Sequence, residues 1–233
     1  MLISGLQKLT LLDYPGKVAC TVFTGGCNLR CPFCHNAPLV LPERLQNDPD
    51  GEETVLAFLR KRRGILDGVA VTGGEPLLQK DIAAFLRKVK DLGFLVKLDT
   101  NGSFPDRLEE LLAEGLVDRV AMDIKNGPDR YAETVGVPGL NLSPFARTKT
   151  LLLEGRVDYE FRTTVVRGLH TAESLREAAR WIAGAKEYYL QQYKDSGDIL
   201  DGEGLSAFSQ EDMHALAAAV RPIVPAVQLR GVE

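Results

Sequence analysis

The chain has 233 residues, enough for one large core, and its 45% hydrophobic and 26% charged content is ordinary for a soluble globular protein. Its 28 basic and 32 acidic side chains leave a net charge of −4, which gives no electrostatic reason to expect nucleic acid or an anionic membrane as partner. No apolar run approaches the roughly 18 residues of a membrane span, and Gly5, Gln7, Lys8, Thr10 and Asp13 interrupt any signal-peptide core, so a cytoplasmic location is expected.

Along the chain, short β-branched runs alternate with amphipathic helical patterns. Residues 18–23 read as a buried strand, with Cys20 in it as a small core hydrophobe. A cysteine-rich stretch follows, then an acidic segment over residues 42–53 that reads as a lid or as a solvated connection. A helix is expected over 52–63 and a strand over 68–72. The next helix is expected over 79–92, where Leu78, Ile82, Phe85, Leu86 and Val89 recur at three- and four-residue steps and Gly93 supplies the stop. Strands at 94–99 and 117–124 flank a helix at 105–114. Helices at 143–154 and 171–183 alternate with strands at 159–166 and 187–192. Residues 196–204 read as an exposed loop, 209–220 as a helix with Ser209 as its N-cap, and 226–230 as a final strand. His170 and His214 read as surface residues without a role.

This alternation predicts βαβ units, a mostly parallel sheet and an α/β fold, in one domain over residues 1–233. Six or so repeats would curl into a full or partial (β/α)6-type TIM barrel. Chemistry in such barrels gathers where the strands end. The polar clusters fall at those positions: the cysteine loop, Gly73-Gly74-Glu75-Pro76, Asp99-Thr100-Asn101-Gly102, Asp123-Ile124-Lys125 and Gln191-Gln192-Tyr193.

Cys27, Cys31 and Cys34 are spaced C-x3-C-x2-C. Three thiolates on one short loop can hold three corners of a four-iron cube and leave the fourth iron open, whereas electron-transfer clusters are closed by a fourth cysteine. A zinc knuckle is the plainer alternative, with His35 or Cys20 as fourth ligand. His35 adjoins Cys34 and would strain a tetrahedral site, and Cys20 lies within a strand. Elsewhere, Asp99 can serve a ligand or cap the next helix. Asp123 and Lys125 share one strand face and can serve a ligand or pair with each other. Arg162 can point inward toward a carboxylate or outward to solvent.

The cysteine spacing, with Phe33 before the last cysteine and Gly73-Gly74-Glu75-Pro76 further on, resembles the radical S-adenosylmethionine superfamily. That resemblance implies a [4Fe–4S] cluster on Cys27, Cys31 and Cys34. It also implies S-adenosylmethionine on the open iron, cleaved by one electron to methionine and a 5′-deoxyadenosyl radical. Gly73, Gly74, Glu75 and Pro76 are then expected at the methionine ammonium, and Lys125, with Asp123 beside it, at its carboxylate. Asp99 and Thr100 are expected at the ribose or a cation. Phe33 and Asn36 are expected at the adenine, Gln192 and Tyr193 at the adenosine, and Arg162 at a carboxylate.

The opening Leu9-Thr10-Leu11-Leu12-Asp13-Tyr14-Pro15-Gly16-Lys17-Val18, the Cys34-His35-Asn36 ending and Tyr189-Leu190-Gln191-Gln192-Tyr193 resemble the activases of glycyl-radical enzymes. The likeness is nearest to the activating proteins of anaerobic ribonucleoside-triphosphate reductase (anaerobic ribonucleotide reductase). It implies hydrogen abstraction from a glycine Cα of a partner enzyme, with electrons from a flavodoxin- or ferredoxin-like donor. The chain has neither the extra C-terminal cysteines of relatives with auxiliary clusters nor an inserted cysteine-rich domain. An open-sided barrel suits a macromolecular substrate. A more developed C-terminal helical segment leaves two alternatives: an activase of another glycyl-radical enzyme, or a radical enzyme acting on a small molecule or modified-nucleoside precursor.

Overall fold

The computed structural model describes residues 1–45, 51–195 and 197–232. Eight strands among them hydrogen-bond in chain order as one open, mostly parallel sheet, and the chain is an α/β protein. The chain divides into two compact units, one of residues 1–28, 38–121 and 156–158, the other of 29–37, 122–155 and 159–233. No helix among the described residues is long and apolar enough to cross a membrane.

The first unit opens with β1 (Ile3–Thr10), antiparallel to β2 (Ala19–Thr24); β2 pairs in parallel with β3 (Gly68–Gly73), and β3 with β4 (Leu95–Thr100). Ala19, Cys20, Val22, Val69, Val71, Val96 and Leu98 are fully buried, as the near-continuous apolar runs of covered parallel strands require. Burial also pushes the Cys20 thiol up to about 12, so this cysteine is a neutral core residue. Strand β1 is absent from the expected pattern. Its residues Gln7, Lys8 and Leu9 are exposed, so no alternation marks it, and pairing with β2 rather than burial creates it.

Helices α1 (Ala37–Val40), α2 (Gly51–Arg60), α3 (Ile82–Asp91) and α4 (Pro105–Ala113) belong to this unit. Of the segment 42–53, Pro42–Arg44 form a 3-10 turn and residues 51–53 begin α2, while residues 46–50 lie outside the described residues. Helix α3 buries Ile82, Phe85, Leu86 and Val89, each contributing about 1.5–3 kcal/mol of apolar burial. It starts later than periodicity suggests, because Pro76–Leu78 form a separate 3-10 turn. Gly93, at φ 90°, ends it.

Strand β5 (Arg119–Asp123) contributes its first residues to the first unit and Met122 and Asp123 to the second. The second unit continues with α5 (Pro128–Thr134), α6 (Ser143–Leu153), β6 (Asp158–Val165), α7 (Ala172–Trp181), β7 (Tyr188–Gln192), α8 (Gln210–Val220) and β8 (Val227–Arg230). Strands β6, β7 and β8 are parallel neighbours. Thr171 and Ser174 form a capping box that starts α7, and Ser209 caps α8 through the Asp212 N–H. The buried Tyr131 ring of α5 packs on Phe145 of α6 and edge-on against Trp181 of α7, with centroids 5.2 and 5.5 Å apart. This aromatic cluster joins three helices. Truncating it by Phe145→Ala should lower unfolding free energy by about 3–5 kcal/mol, read from a denaturant midpoint, while Thr150→Ala on the exposed side of α6 should move it by under about 0.5 kcal/mol.

Candidate active site

In the first unit the end of β3 is pressed against the root of the cysteine loop. The Gly74 N–H donates to the Thr24 carbonyl (2.9 Å) and the Glu75 N–H to that of Gly26 (2.8 Å). A Cβ on Gly73, which sits at φ 125°, would lie 2.2 Å from the Thr24 oxygen, and one on Gly74 would lie 2.0 Å from that of Gly26. Both positions therefore demand glycine, for a backbone-to-backbone approach. Pro76 is buried and opens the 3-10 turn.

Glu75 is fully buried. Its carboxylate accepts from the Leu77 N–H (3.0 Å), the Thr100 hydroxyl (2.9 Å) and the Asn101 N–H (2.6 Å). The Thr100 hydroxyl also accepts from the Gly102 N–H. Asn101, so held, directs its side-chain amide to Asn28 Oδ1 (2.9 Å) and to Cys27 Sγ (3.9 Å). Asn101 is a site residue that the motif reading passed over. Its signal was its place in Asp99-Thr100-Asn101-Gly102 at a strand end. Asp99 is buried in an ion pair with the equally buried Lys97.

The second unit holds Cys31 (buried) and Cys34 (partly exposed). The Phe33 ring is buried, and the Lys125 ammonium lies 5.9 Å from its centroid. Asn36 is partly exposed. Lys125 donates to Asp123 Oδ2 (2.8 Å) and Arg162 to Asp123 Oδ1 (2.5 Å). Arg162 thus faces Asp123, and the Asp123–Lys125 pair forms. Burial works against ionising Asp123, but the Arg162 and Lys125 charges outweigh it and hold the carboxyl well below the usual range. Burial likewise opposes the charge on Lys125, and Asp123 and Cys31 more than reverse it, keeping the ammonium well above its ordinary value. Lys125 is thereby coupled electrostatically to both Asp123 and Cys31.

His170 is buried (3% exposed), not at the surface. Its Nδ1 accepts from the Val166 N–H (3.0 Å) and its Nε2 lies 2.8 Å from the Lys125 carbonyl, so Nε2 donates and His170 fixes the backbone that carries Lys125. The spacing between residues 125 and 170 hides this contact from a sequence reading. Gln192 donates its amide to the Phe208 carbonyl (2.8 Å). Its neighbours along the chain differ: Gln191 Oε1 and the Tyr193 hydroxyl are buried and find no hydrogen-bond partner among the described residues. Leu200 and Asp201 of the loop after β7 donate backbone N–H groups to the Cys34 (3.2 Å) and Pro32 (2.8 Å) carbonyls.

The donor set fits the iron–sulfur group that the cysteine spacing implies. None of the three loop cysteines is in a disulfide, and all three lie on irregular backbone. Among the described residues no group of three or more His, Cys, Asp or Glu side chains is placed to hold a metal ion; an iron–sulfur cube asks each thiolate to hold a different iron. The unpartnered Gln191 and Tyr193 atoms fit a polar ligand such as S-adenosylmethionine.

Burial is the main cause that holds the His170 imidazole below its ordinary value. The unfolded chain therefore takes up this proton more readily than the folded one, so the stabilisation is complete above about pH 6.5 and is lost as pH falls. The acid limb of a stability–pH curve below that point should include up to about 1.4 kcal/mol per pH unit from this residue. His170→Gln, which keeps a donor without a titrating ring, should flatten that part; an unchanged slope would count against the assignment.

A model of the "Radical SAM superfamily" matches residues 21–188. A candidate glycyl-radical enzyme activating enzyme of Methanocaldococcus jannaschii is 34% identical over 203 residues, covering 84% of this chain and 82% of that protein. The pyruvate formate-lyase-activating enzyme of Staphylococcus aureus is 29% identical over 157 residues, covering 62% and 61%. SuiB of Streptococcus suis, solved with S-adenosylmethionine bound, superposes with a TM-score of 0.69 at 16% identity, covering 88% of this chain and 48% of SuiB, a likeness of fold. With the family model spanning most of the chain and the three loop cysteines in place, the protein belongs to the radical SAM superfamily.

Proposed function

We propose that Cys27, Cys31 and Cys34 hold a [4Fe–4S] cluster, that S-adenosylmethionine binds beside it, and that the chain activates a glycyl-radical enzyme. The observation that carries this reading is the set of three cysteines at C-x3-C-x2-C, none in a disulfide, in a superfamily that uses both groups. The similarity to named activating enzymes, one of them matched over most of its length, supports the activase type. When bound, the two groups supply a one-electron cleavage of a sulfonium and a carbon radical able to take a hydrogen atom.

The chain's own residues bind, orient and shield. Lys125, kept charged by Asp123, is suited to the ligand's carboxylate, and Arg162 holds Asp123 from the other side. Glu75 fixes the turns that carry Thr100 and Asn101, and Asn101 holds the loop at Cys27. The backbone of Gly73, Gly74 and Pro76, with Asp99, lines the ammonium and ribose side in this reading. Phe33, Asn36, Gln192 and Tyr193 line the adenosine side, with Gln191 a further polar contact. The glycyl-radical partner we propose is an anaerobic ribonucleotide reductase, on the likeness of residues 9–18 and 189–193 to its activating proteins, with a flavodoxin- or ferredoxin-like protein as electron donor.

Protein reconstituted with iron and sulfide under anaerobic conditions should convert S-adenosylmethionine to 5′-deoxyadenosine and methionine with dithionite, measured by chromatography. Cys31→Ala should reduce this to background, and retention of activity would overturn the cluster assignment. Mixing with candidate partner enzymes should give a glycyl-radical signal by electron paramagnetic resonance; turnover tied to a small metabolite instead would overturn the activase reading. Lys125→Gln should raise the KM for S-adenosylmethionine about tenfold or more, the worth of a charge-assisted hydrogen bond.

A further inference from the structure

Within the second unit, residues 29–37 lie between two segments from elsewhere in the sequence. On one side is the end of α5. The Arg30 N–H donates to the Val135 carbonyl (2.9 Å), and Val135 is fully buried. The next residue, Gly136, has φ 65°, and a Cβ built on it would lie 2.4 Å from the Arg30 carbonyl oxygen and 3.1 Å from its carbon. That distance is far inside van der Waals contact, and the obstacle is backbone, which cannot swing aside as a flexible side chain would. On the other side, the N–H groups of Leu200 and Asp201 hold the Cys34 and Pro32 carbonyls.

We propose that Gly136 is a positioning residue for the cysteine loop: the absence of a side chain there lets α5 seat the Arg30 peptide, and with it Cys31, in the geometry that retains an iron–sulfur cluster. The inference rests on the reading of Cys31 as a cluster ligand. Two effects are joined at Gly136 and have to be separated. Positive φ alone favours glycine, as a helix C-terminus commonly does. The approach to Arg30 is a second, independent demand. Gly139 supplies the comparison within the same unit, since it has φ 70° but no described residue lies within 4 Å of where its Cβ would be. Asparagine separates them further, because it tolerates the left-handed region yet carries a Cβ.

The test compares Gly136→Ala, Gly136→Asn, Gly139→Ala and Gly139→Asn in the full chain. Thermal melting of the unreconstituted proteins reads backbone strain, and iron and sulfide content after anaerobic reconstitution reads cluster retention. The change in the reduced protein's electron paramagnetic resonance spectrum on adding S-adenosylmethionine reads the cluster's surroundings. Both Gly136 variants should retain cluster about tenfold or more less well than wild type, the usual scale for disturbing a ligand's support, or show an altered spectral response. Both Gly139 variants should reconstitute as wild type does. Gly136→Asn keeps the test decisive should Gly136→Ala fold poorly. Full iron content and an unaltered spectrum in Gly136→Asn would overturn the proposal, and so would equal losses at both glycines, which would reduce the effect to strain. A wild-type chain that takes up no cluster would instead overturn the functional reading beneath it.

Discussion

A carboxylate cut off from water is tolerated only where donors match its oxygens, and much of the first unit's site is arranged around that demand at Glu75. Its three recorded donors come from the turn after β3 and from the end of β4. One side chain therefore fixes two strand-end turns that no regular secondary structure would join. Asn101 is oriented as a result, and through it Asn28 and Cys27. Gly73 and Gly74 complete the arrangement by letting β3 approach Thr24 and Gly26 more closely than any side chain would allow. The Gly-Gly-Glu-Pro run is thus a brace for the root of the cysteine loop.

The second unit is organised by charge. Opposite charges about 4 Å apart interact by about 4 kcal/mol at the effective dielectric of a protein surface, which explains why Asp123, with two such partners, stays ionised although partly buried. The Lys125 ammonium is coupled electrostatically to Cys31 as well as to Asp123. His170 and Tyr131 hold the same segment by its backbone, through the Lys125 and Asp123 carbonyls. Tyr131 also anchors α5 among Phe145 and Trp181, and just beyond the end of α5 Gly136 approaches the Arg30 backbone. Helix packing, charge placement and loop geometry are in this way consecutive links of one chain of contacts.

The core strands and the longer helices were legible in the sequence because their signals are local: β-branched runs in β2 to β4, three- and four-residue apolar steps in α3, a serine cap at Ser209. Strand β1 was not legible, since an exposed edge strand has no burial pattern and owes its form to pairing. The short α5 has too few turns to show a period. The histidines show the same limit. His214 is exposed as expected, but His170 is buried against Lys125, a relation between residues 45 apart that only folding creates. At β7, the motif drew attention to Gln192 and Tyr193; among the described residues Tyr193 and Gln191 carry buried polar atoms without a protein hydrogen-bond partner, whereas Gln192 is tied to Phe208.

By itself the sequence determined the chemistry on offer: three thiols at a spacing suited to an open cluster, and polar residues at the ends of parallel strands. Residue type and short spacing carry that information, because ligand identity and strand period are local properties. The tertiary structure decided which protein partners those groups take. Glu75, Asp99 and Gln192 have protein partners, Asp123 and Arg162 hold each other, and Asn101, His170 and Gly136 make contacts that no motif announced. Hydrogen bonds and close backbone approaches are settled by distance in space, and distance between remote residues is set only when the chain folds.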